Sequence, residues 1–433
     1  MKTRIISIVL IVVAAFACIT GHDFLLEWDD QWVVFNKYTD AGLSLDNLWA
    51  VLTEFHNGQY APFNELSYIL IHSVFGYSPM AFHAASLLWH VANTVLLFLV
   101  LNRLLKMIPN NPLAGQSQNI AWVCTLLWAV HPVNVEPVAW VSASKILVYA
   151  FYYLAALLLY LYYIARPGLG KYIGLLALFV ASFFGKEQAV VLPLAFLLVD
   201  YVTRREEKVS YLLLEKAPFL ILALFFGIFT IISQEDGGNM PVYSMWQRLL
   251  FCGYTLYEYL VKTILPLNLM YLYPFPITPD GKMPLTMYVY PLLIVAAVYL
   301  VFVMRKERIL VFGALFFVVH LLVAIHFISI SRFAIVADRY NYLAMIGPLL
   351  VIAYYLCQWS RKNKIAARVV VGLYFVYLCT YTIIYQQKWE NSEHVKRHVK
   401  ELVDAQKKEA ESLGDEMHND SQSDDYEKKE AVK

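Results

Sequence analysis

The sequence predicts an all-α, multi-pass membrane protein, and three observations carry that prediction. Of the 433 residues, 60% are hydrophobic and only 15% charged, whereas a soluble domain carries about a quarter charged residues. Runs of roughly twenty apolar residues, long enough to cross a bilayer as a helix, recur along almost the whole chain. Lysine and arginine concentrate in alternate connections between those runs. Helices are the expected form because each backbone amide in lipid must find its partner within its own segment. An aromatic content of 15% suits many interfacial Tyr and Trp residues. The net charge of +1 leaves no electrostatic footprint for nucleic acid. Cys18, Cys124, Cys252, Cys357 and Cys379 all fall in apolar runs without a CxxC pair, which argues against a disulfide frame or a zinc site.

In chain order, "MKTR" followed by "IISIVLIVVAAFACIT" has the look of a signal sequence. It lacks a clean small-residue cleavage site and a lipobox before Cys18, so it is read as a retained first span. The next spans are expected near 80–102, 118–133, 146–165, 171–185, 188–203, 212–232, 285–304, 309–329, 341–359 and 366–386, giving about eleven in all. Residues 246–265 are amphipathic, with Arg248, Glu258 and Lys262, and are read as an interfacial helix in an outer loop over 235–283.

Charge sets the orientation. With a cytoplasmic N-terminus, the inner turns hold Lys2, Arg4, Arg103, Lys106, Arg166, Lys171 and the basic groups of 204–216, 305–308 and 361–368. The outer side, tail excluded, holds fewer than half as many cations. That asymmetry predicts an outer C-terminus. A crossing at 246–265 would move "RKER" at 305–308 outside and break the rule. Past residue 386, Val395, Val399, Leu402 and Val403 recur at helical spacing on a charged background, so 387–412 reads as an amphipathic helix. Residues 413–433 are acidic and poor in apolar groups, and read as disordered.

Four polar clusters interrupt the apolar pattern, and on this topology all share the outer face. They are Glu27, Asp29 and Asp30; "HPVNVEP", with His131 and Glu136; "GKE", with Lys186 and Glu187; and "VADRYNY", with Asp338, Arg339 and Tyr340. Each has a plain structural reading. Asp29 is a good N-cap, His131 before Pro132 suits a helix end, "GKE" suits a hairpin with snorkelling charges, and Asp338 suits an internal pair with Arg339. Their convergence beneath a long outer loop over 22–79 points further, because ionisable groups near membrane depth are costly and mark function. A carboxylate serves as general base for an acceptor hydroxyl. Lysine and arginine hold a phosphate and stabilise it as it leaves. The mixture suits transfer of a group from a lipid phosphate. Nucleotide-binding, serine-hydrolase and HExxH patterns are absent from the sequence.

The strings "WDDQ", "HPVNVEPVAWVSASK", "GKEQAVVLPLAFLLVDY", "LPLNLMYLYPFP" and "VADRYNYLAMIGPLL" occur in the order of a known family, as does "GQYAPFNELSYILIHSVFGYSPMAFHAASLLWHVANTVLLFLVLNRLL". Over roughly residues 5–390 the chain resembles the transmembrane-and-tetratricopeptide-repeat O-mannosyltransferases and their bacterial relatives, within the GT-C superfamily. The resemblance implies a polyprenyl-phosphate sugar donor with a mannose-like sugar. It also implies inverting transfer to an acceptor hydroxyl, on protein Ser or Thr in characterised members. It maps the acidic residue of the first outer loop onto Asp29 and Asp30, with Asp30 slightly favoured as base. For the remaining roles, chemistry assigns Lys186 and Arg339 to the donor phosphate. His131, Glu136, Glu187, Asp338, Tyr340 and Tyr273 are assigned to substrate. Tyr271 is left between sugar stacking and an interfacial belt. A divalent cation on the aspartate pair is left open. The localisation implied is a bacterial inner membrane with the site facing the periplasm.

Two departures weaken the acceptor assignment. Ala61 stands where relatives often carry an arginine, and a charged helix and tail stand where many carry repeats. The runner-up within the same chemistry is therefore transfer to an envelope glycan or lipid. A transporter would place charge at mid-membrane depth and show inverted repeats. A scaffold would tolerate loss of both aspartates.

Overall fold

The computed structural model describes residues 1–235, 243–277, 281–327 and 334–412. The acidic tail over 413–433, Arg332 and parts of the 235–283 loop fall outside the described residues. The protein is predominantly helical, and among the described residues six helices are long and apolar enough to cross a membrane: Lys2–Gly21, Pro79–Met107, Val141–Ala165, Val209–Ile232, Leu285–Val303 and Lys364–Trp389. A seventh crossing results if Asp338–Ala344 and Ile346–Trp359, bent by 51° at their junction, count as one span. Leu169–Gly185 and Arg308–Leu321 are apolar but shorter.

The short and broken helices replace several of the expected full spans, for local reasons. The run expected over 118–133 is helical only over Ser117–Ala129. Pro132 then disfavours helical backbone at the residue before it. The chain continues through the short helical turns Pro132–Asn134, Val135–Ala139 and Val141–Ala143. The run expected over 188–203 opens as a tight turn over Glu187–Val191 before the helix Leu192–Thr203, which carries proline in its first turn. Residues 246–265 form the helix Met245–Ile264, opened by a capping box of Ser244 with Gln247. It is not among the membrane-crossing candidates. One short antiparallel ribbon, Tyr273–Pro274 with Ala334–Val336, adds a β element to the otherwise helical fold.

The core gathers around Pro79–Met107, Val141–Ala165 and Ile346–Trp359, where rings such as Phe98, Trp128, Tyr153 and Tyr342 are wholly buried. Glycine pairing sets one of its closest approaches. A Cβ at Gly347 would collide with the backbone of Gly313, so Arg308–Leu321 and Ile346–Trp359 cross backbone to backbone. At the periphery the pattern inverts. Only 6% of the most apolar stretch of Leu285–Val303 and 17% of that of Val209–Ile232 is buried, as expected of helices whose neighbours are lipid.

The turns carrying the excess positive charge share one end of the bundle. Arg4 donates to Asn119 at 2.5 Å, Arg361 to the carbonyl of Pro112 at 2.7 Å, and Arg308 to the carbonyl of Tyr201 at 2.8 Å. Arg103 lies over the ring of Tyr162, and Tyr172 donates to the carbonyl of Glu215. At the opposite end, the C-terminal segment straps onto the first long loop. Asp23 N–H donates to the carbonyl of Glu390, Lys396 pairs with Glu27 at 2.5 Å, and Tyr271 donates to the carbonyl of Lys388. The predicted amphipathic helix is present as Ser392–Ser412, with Val395 and Val399 buried in the main core.

Candidate functional site

The two adjacent aspartates have different fates. Asp30 is fully buried. Its Oδ2 accepts the Leu25 N–H at 2.8 Å, and its Oδ1 accepts the Ser142 N–H at 2.9 Å together with the Ser142 hydroxyl. It therefore pins the first long loop to the entry of the Val141–Ala165 span. Burial pushes its carboxyl up to about 6, against the opposing pull of the Ser142 and Leu25 hydrogen bonds. Asp29 holds the left-handed region, φ 87°, at the entry of the short helix Asp30–Val33, a position unfavourable for most residues with a side chain. It does not act as a side-chain cap. Its Oδ1 accepts the Trp32 indole N–H at 3.1 Å, and its Oδ2 has no partner among the described residues. The open carboxylate is thus Asp29. The preference for Asp30 as base is reversed, because both Asp30 oxygens are spent on backbone and hydroxyl donors in a sealed position.

Lys145 has two further cations from separate stretches of chain, Lys186 and Arg339, and Asp29 within its electrostatic reach. Gly185 makes the first approach possible. A Cβ there would lie 2.7 Å from the backbone of Tyr149, so only glycine lets the "GKE" turn pack against the helix that begins at Lys145. Lys186 follows, buried, paired with Glu187 at 2.9 Å and facing the ring of Tyr340 at 5.8 Å. Burial raises the Glu187 carboxyl, but Lys186 and Lys145 outweigh it and leave the group below its ordinary value. Lys145 donates to Gln59 of the first long loop, and Lys186, Glu187, Arg339 and Asp29 all lie within its electrostatic reach. Arg339 is clamped by Glu136, whose Oε2 accepts the Arg339 N–H at 2.7 Å and whose Oε1 accepts the guanidinium. The guanidinium lies 5.4 Å from the Trp140 ring and 5.0 Å from the Tyr340 ring. Tyr340 is thereby bracketed by Lys186 and Arg339.

The other expected substrate residues are held by the protein itself. His131 is fully buried. Its Nδ1 accepts the Val133 N–H and its Nε2 meets the Thr263 carbonyl at 3.1 Å, so it ties a helix break to the end of Met245–Ile264. It offers no free nitrogen to a sugar. Asp338 is buried and accepts the Tyr273 hydroxyl on both oxygens, at 3.0 and 3.1 Å. The face of Tyr273 holds the Lys262 ammonium at 4.2 Å. Asp338 and Tyr273 therefore face each other and Lys262, behind the Arg339 turn. Tyr271 packs on Trp389 at 4.6 Å and Trp28 at 6.5 Å, anchoring the C-terminal strap. Among the described residues no three His, Cys, Asp or Glu side chains gather as a metal cage.

Sequence reasoning passed over Lys145, Trp140, Glu65 and Lys262. Lys145 begins an apolar helix. The signal available was its place in "HPVNVEPVAWVSASK", nine residues after Glu136. Glu65 lies in the Pro62–Phe75 helix of the first long loop. Its Oε1 accepts from Asn36 at 3.0 Å and Thr39 at 3.1 Å, and burial, against those two bonds, pushes its carboxyl up to about 7. Searches against protein families, curated proteins and solved structures return no match to this chain.

Proposed function

We propose that the protein is a GT-C-type glycosyltransferase that moves a mannose-like sugar from a polyprenyl-phosphate carrier to an acceptor hydroxyl at the outer face of a membrane. One observation carries the reading: Lys145, which begins a helix, has within its electrostatic reach two further cations from separate segments, Lys186 and Arg339, and Asp29, the acid with an open carboxylate oxygen. A phosphate monoester anion is what such a group of cations holds. Asp29 Oδ2 takes the proton of the acceptor hydroxyl. As the acceptor oxygen bonds to the anomeric carbon, the bond from that carbon to the phosphate oxygen breaks, and the electron pair leaves with the polyprenyl phosphate. The cations stabilise that developing charge. The exposed apolar sides of Val209–Ile232 and Leu285–Val303 suit an isoprenoid chain arriving from the lipid.

Eleven crossings, a cytoplasmic N-terminus, an outer C-terminus and a bacterial inner membrane belong to the same proposal. The clustering of the basic turns at one end of the bundle, away from Asp29, supports this orientation. The test uses the full chain in nanodiscs with undecaprenyl phosphate and its mannosylated form. Wild type binds undecaprenyl phosphate, and Lys186→Met and Lys145→Met weaken that binding at least tenfold. In cells, Asp29→Asn reproduces the glycan and glycolipid profile of a deletion strain. Full complementation by Asp29→Asn would sink the reading.

A further inference from the structure

We propose that Trp389, the ring that ends the last membrane-length helix, is a positioning residue: through Trp140, Tyr271 and Trp28 it holds the Arg339 guanidinium and the Asp29 turn in one fixed arrangement. The inference rests on the glycosyl-transfer reading and gives the C-terminal strap a part in that site. Four rings from four stretches of chain form the cluster. Trp389 is fully buried. It lies nearly parallel to Trp140, 5.9 Å away at an interplanar angle of 27°, and edge-on to Tyr271 at 4.6 Å. Trp28 closes the set, 6.5 Å from both Trp140 and Tyr271. These separations lie within the roughly 4.5–7 Å over which aromatic pairs attract.

Two of the rings connect the cluster to charged groups. Trp140 ends the Val135–Ala139 helix that carries Glu136: its N–H donates to the Glu136 carbonyl at 3.1 Å, and its ring faces the Arg339 guanidinium at 5.4 Å. One short helix thus offers Arg339 both a carboxylate and an aromatic face. The Trp140 indole N–H has no partner among the described residues, so the plane of that ring is set by what packs on it, and Trp389 is its parallel neighbour. Trp28 immediately precedes Asp29. Asp29 holds φ 87°, and such a conformation persists only where its surroundings hold it. The strap grips the segment that leads there. Asp23 N–H donates to the Glu390 carbonyl at 2.9 Å, Lys396 pairs with Glu27, and Tyr271 donates to the Lys388 carbonyl. A strap that merely sealed the bundle would need only apolar contact, which Val395 and Val399 supply. The bonds to Asp23 and Glu27 are additional, and they bear on the six residues that run up to Asp29.

The full chain in nanodiscs, labelled with 5-fluorotryptophan, tests this. Trp28→Phe and Trp140→Phe assign the two fluorine resonances. Without donor, Trp389→Leu moves the resonance of Trp28, which Trp389 reaches only through Trp140 and Tyr271. Tyr271→Leu likewise moves that of Trp140, so the test stands even if Trp389→Leu does not fold. Leu378→Ala, a cavity at a buried position about 16 Å along the same helix, leaves both in place. Trp389→Leu binds undecaprenyl phosphate at least fivefold more weakly than wild type. Trp389→Phe, which keeps a ring, stays within twofold, and Leu378→Ala is unchanged whatever its melting temperature. Resonances of Trp28 and Trp140 unmoved by both leucine variants overturn the proposal. So do binding losses that follow melting temperature across Trp389→Leu and Leu378→Ala. Failure of the donor reading shows separately, as undecaprenyl-phosphate binding that is absent from wild type or insensitive to Lys186→Met, and the donor-free resonances still decide the role of Trp389.

Discussion

Two charged groups sit at opposite ends of this bundle, built from the same residue types, and they differ in what is left unpaired. At the basic end, Asp200 accepts from Lys216 and from the Tyr160 hydroxyl, both at 2.5 Å. Glu215 takes the Arg205 fork at 2.7 and 2.8 Å and also pairs with Lys216 at 2.7 Å. Two acids and two bases close on one another, and the Lys216 side chain is only 1% exposed. At the other end, Lys145, Lys186, Arg339, Glu136, Glu187 and Asp29 lie together without closing. Asp29 keeps an oxygen free and Arg339 keeps guanidinium N–H groups without a partner among the described residues. Charge count does not distinguish the two; satisfaction does. A closed network of buried charges holds helices together and gives a ligand nothing to bind. An open one holds its charges in position for something that arrives later.

The largest expected effect breaks the comparison at its open end. Asp29→Asn is expected to lower sugar transfer by about two to four orders of magnitude, the usual worth of a general base. Its melting temperature should hardly move, since asparagine tolerates φ > 0 and can still accept from Trp32. A matching loss of stability would make Asp29 a structural acid like its neighbour.

Next comes the closed end. Lys216→Met leaves Asp200 and Glu215 short of a cation in a buried place, and should cost about 3–5 kcal/mol of stability. The remaining folded protein should bind undecaprenyl phosphate normally, as measured by chemical denaturation and nanodisc binding side by side. Reduced donor binding by fully folded protein would erase the distinction between the two ends.

Asp30→Asn is smaller, about 1–3 kcal/mol, because the new amide must face a donor from Leu25 or Ser142. It also sharpens the pH behaviour. Folded Asp30 keeps its proton up to about pH 6, whereas the unfolded chain releases it near the ordinary carboxyl value of 3.8. Between those values the folded state binds more protons, so wild-type stability falls as pH rises through the window. Asp30→Asn should lose that slope in melts taken from pH 4 to 7. The smallest effect belongs to the strap. Lys396 and Glu27 are 48% and 36% exposed, so Lys396→Met should change stability by no more than about 1 kcal/mol.

The sequence by itself determined the class of protein, a mostly helical chain with several membrane-length apolar helices, and which turns share an end. Those follow from run length, hydropathy and lysine position, which are local properties of the chain. It also named Lys186, Glu136 and Arg339, because charges standing in apolar sequence are visible without a structure. Only the tertiary structure decided that Asp30 is spent while Asp29 is open, that His131 and Asp338 face inward, and that Lys145 joins the cations. It likewise decided that Arg205 and Lys216, basic residues of an inner turn by sequence, close on Asp200 and Glu215. Adjacent residues on a turn point different ways, and whether a carboxylate is free depends on donors more than a hundred residues distant, such as Ser142 for Asp30. Pairing across such separations is set by packing, and no local pattern encodes it.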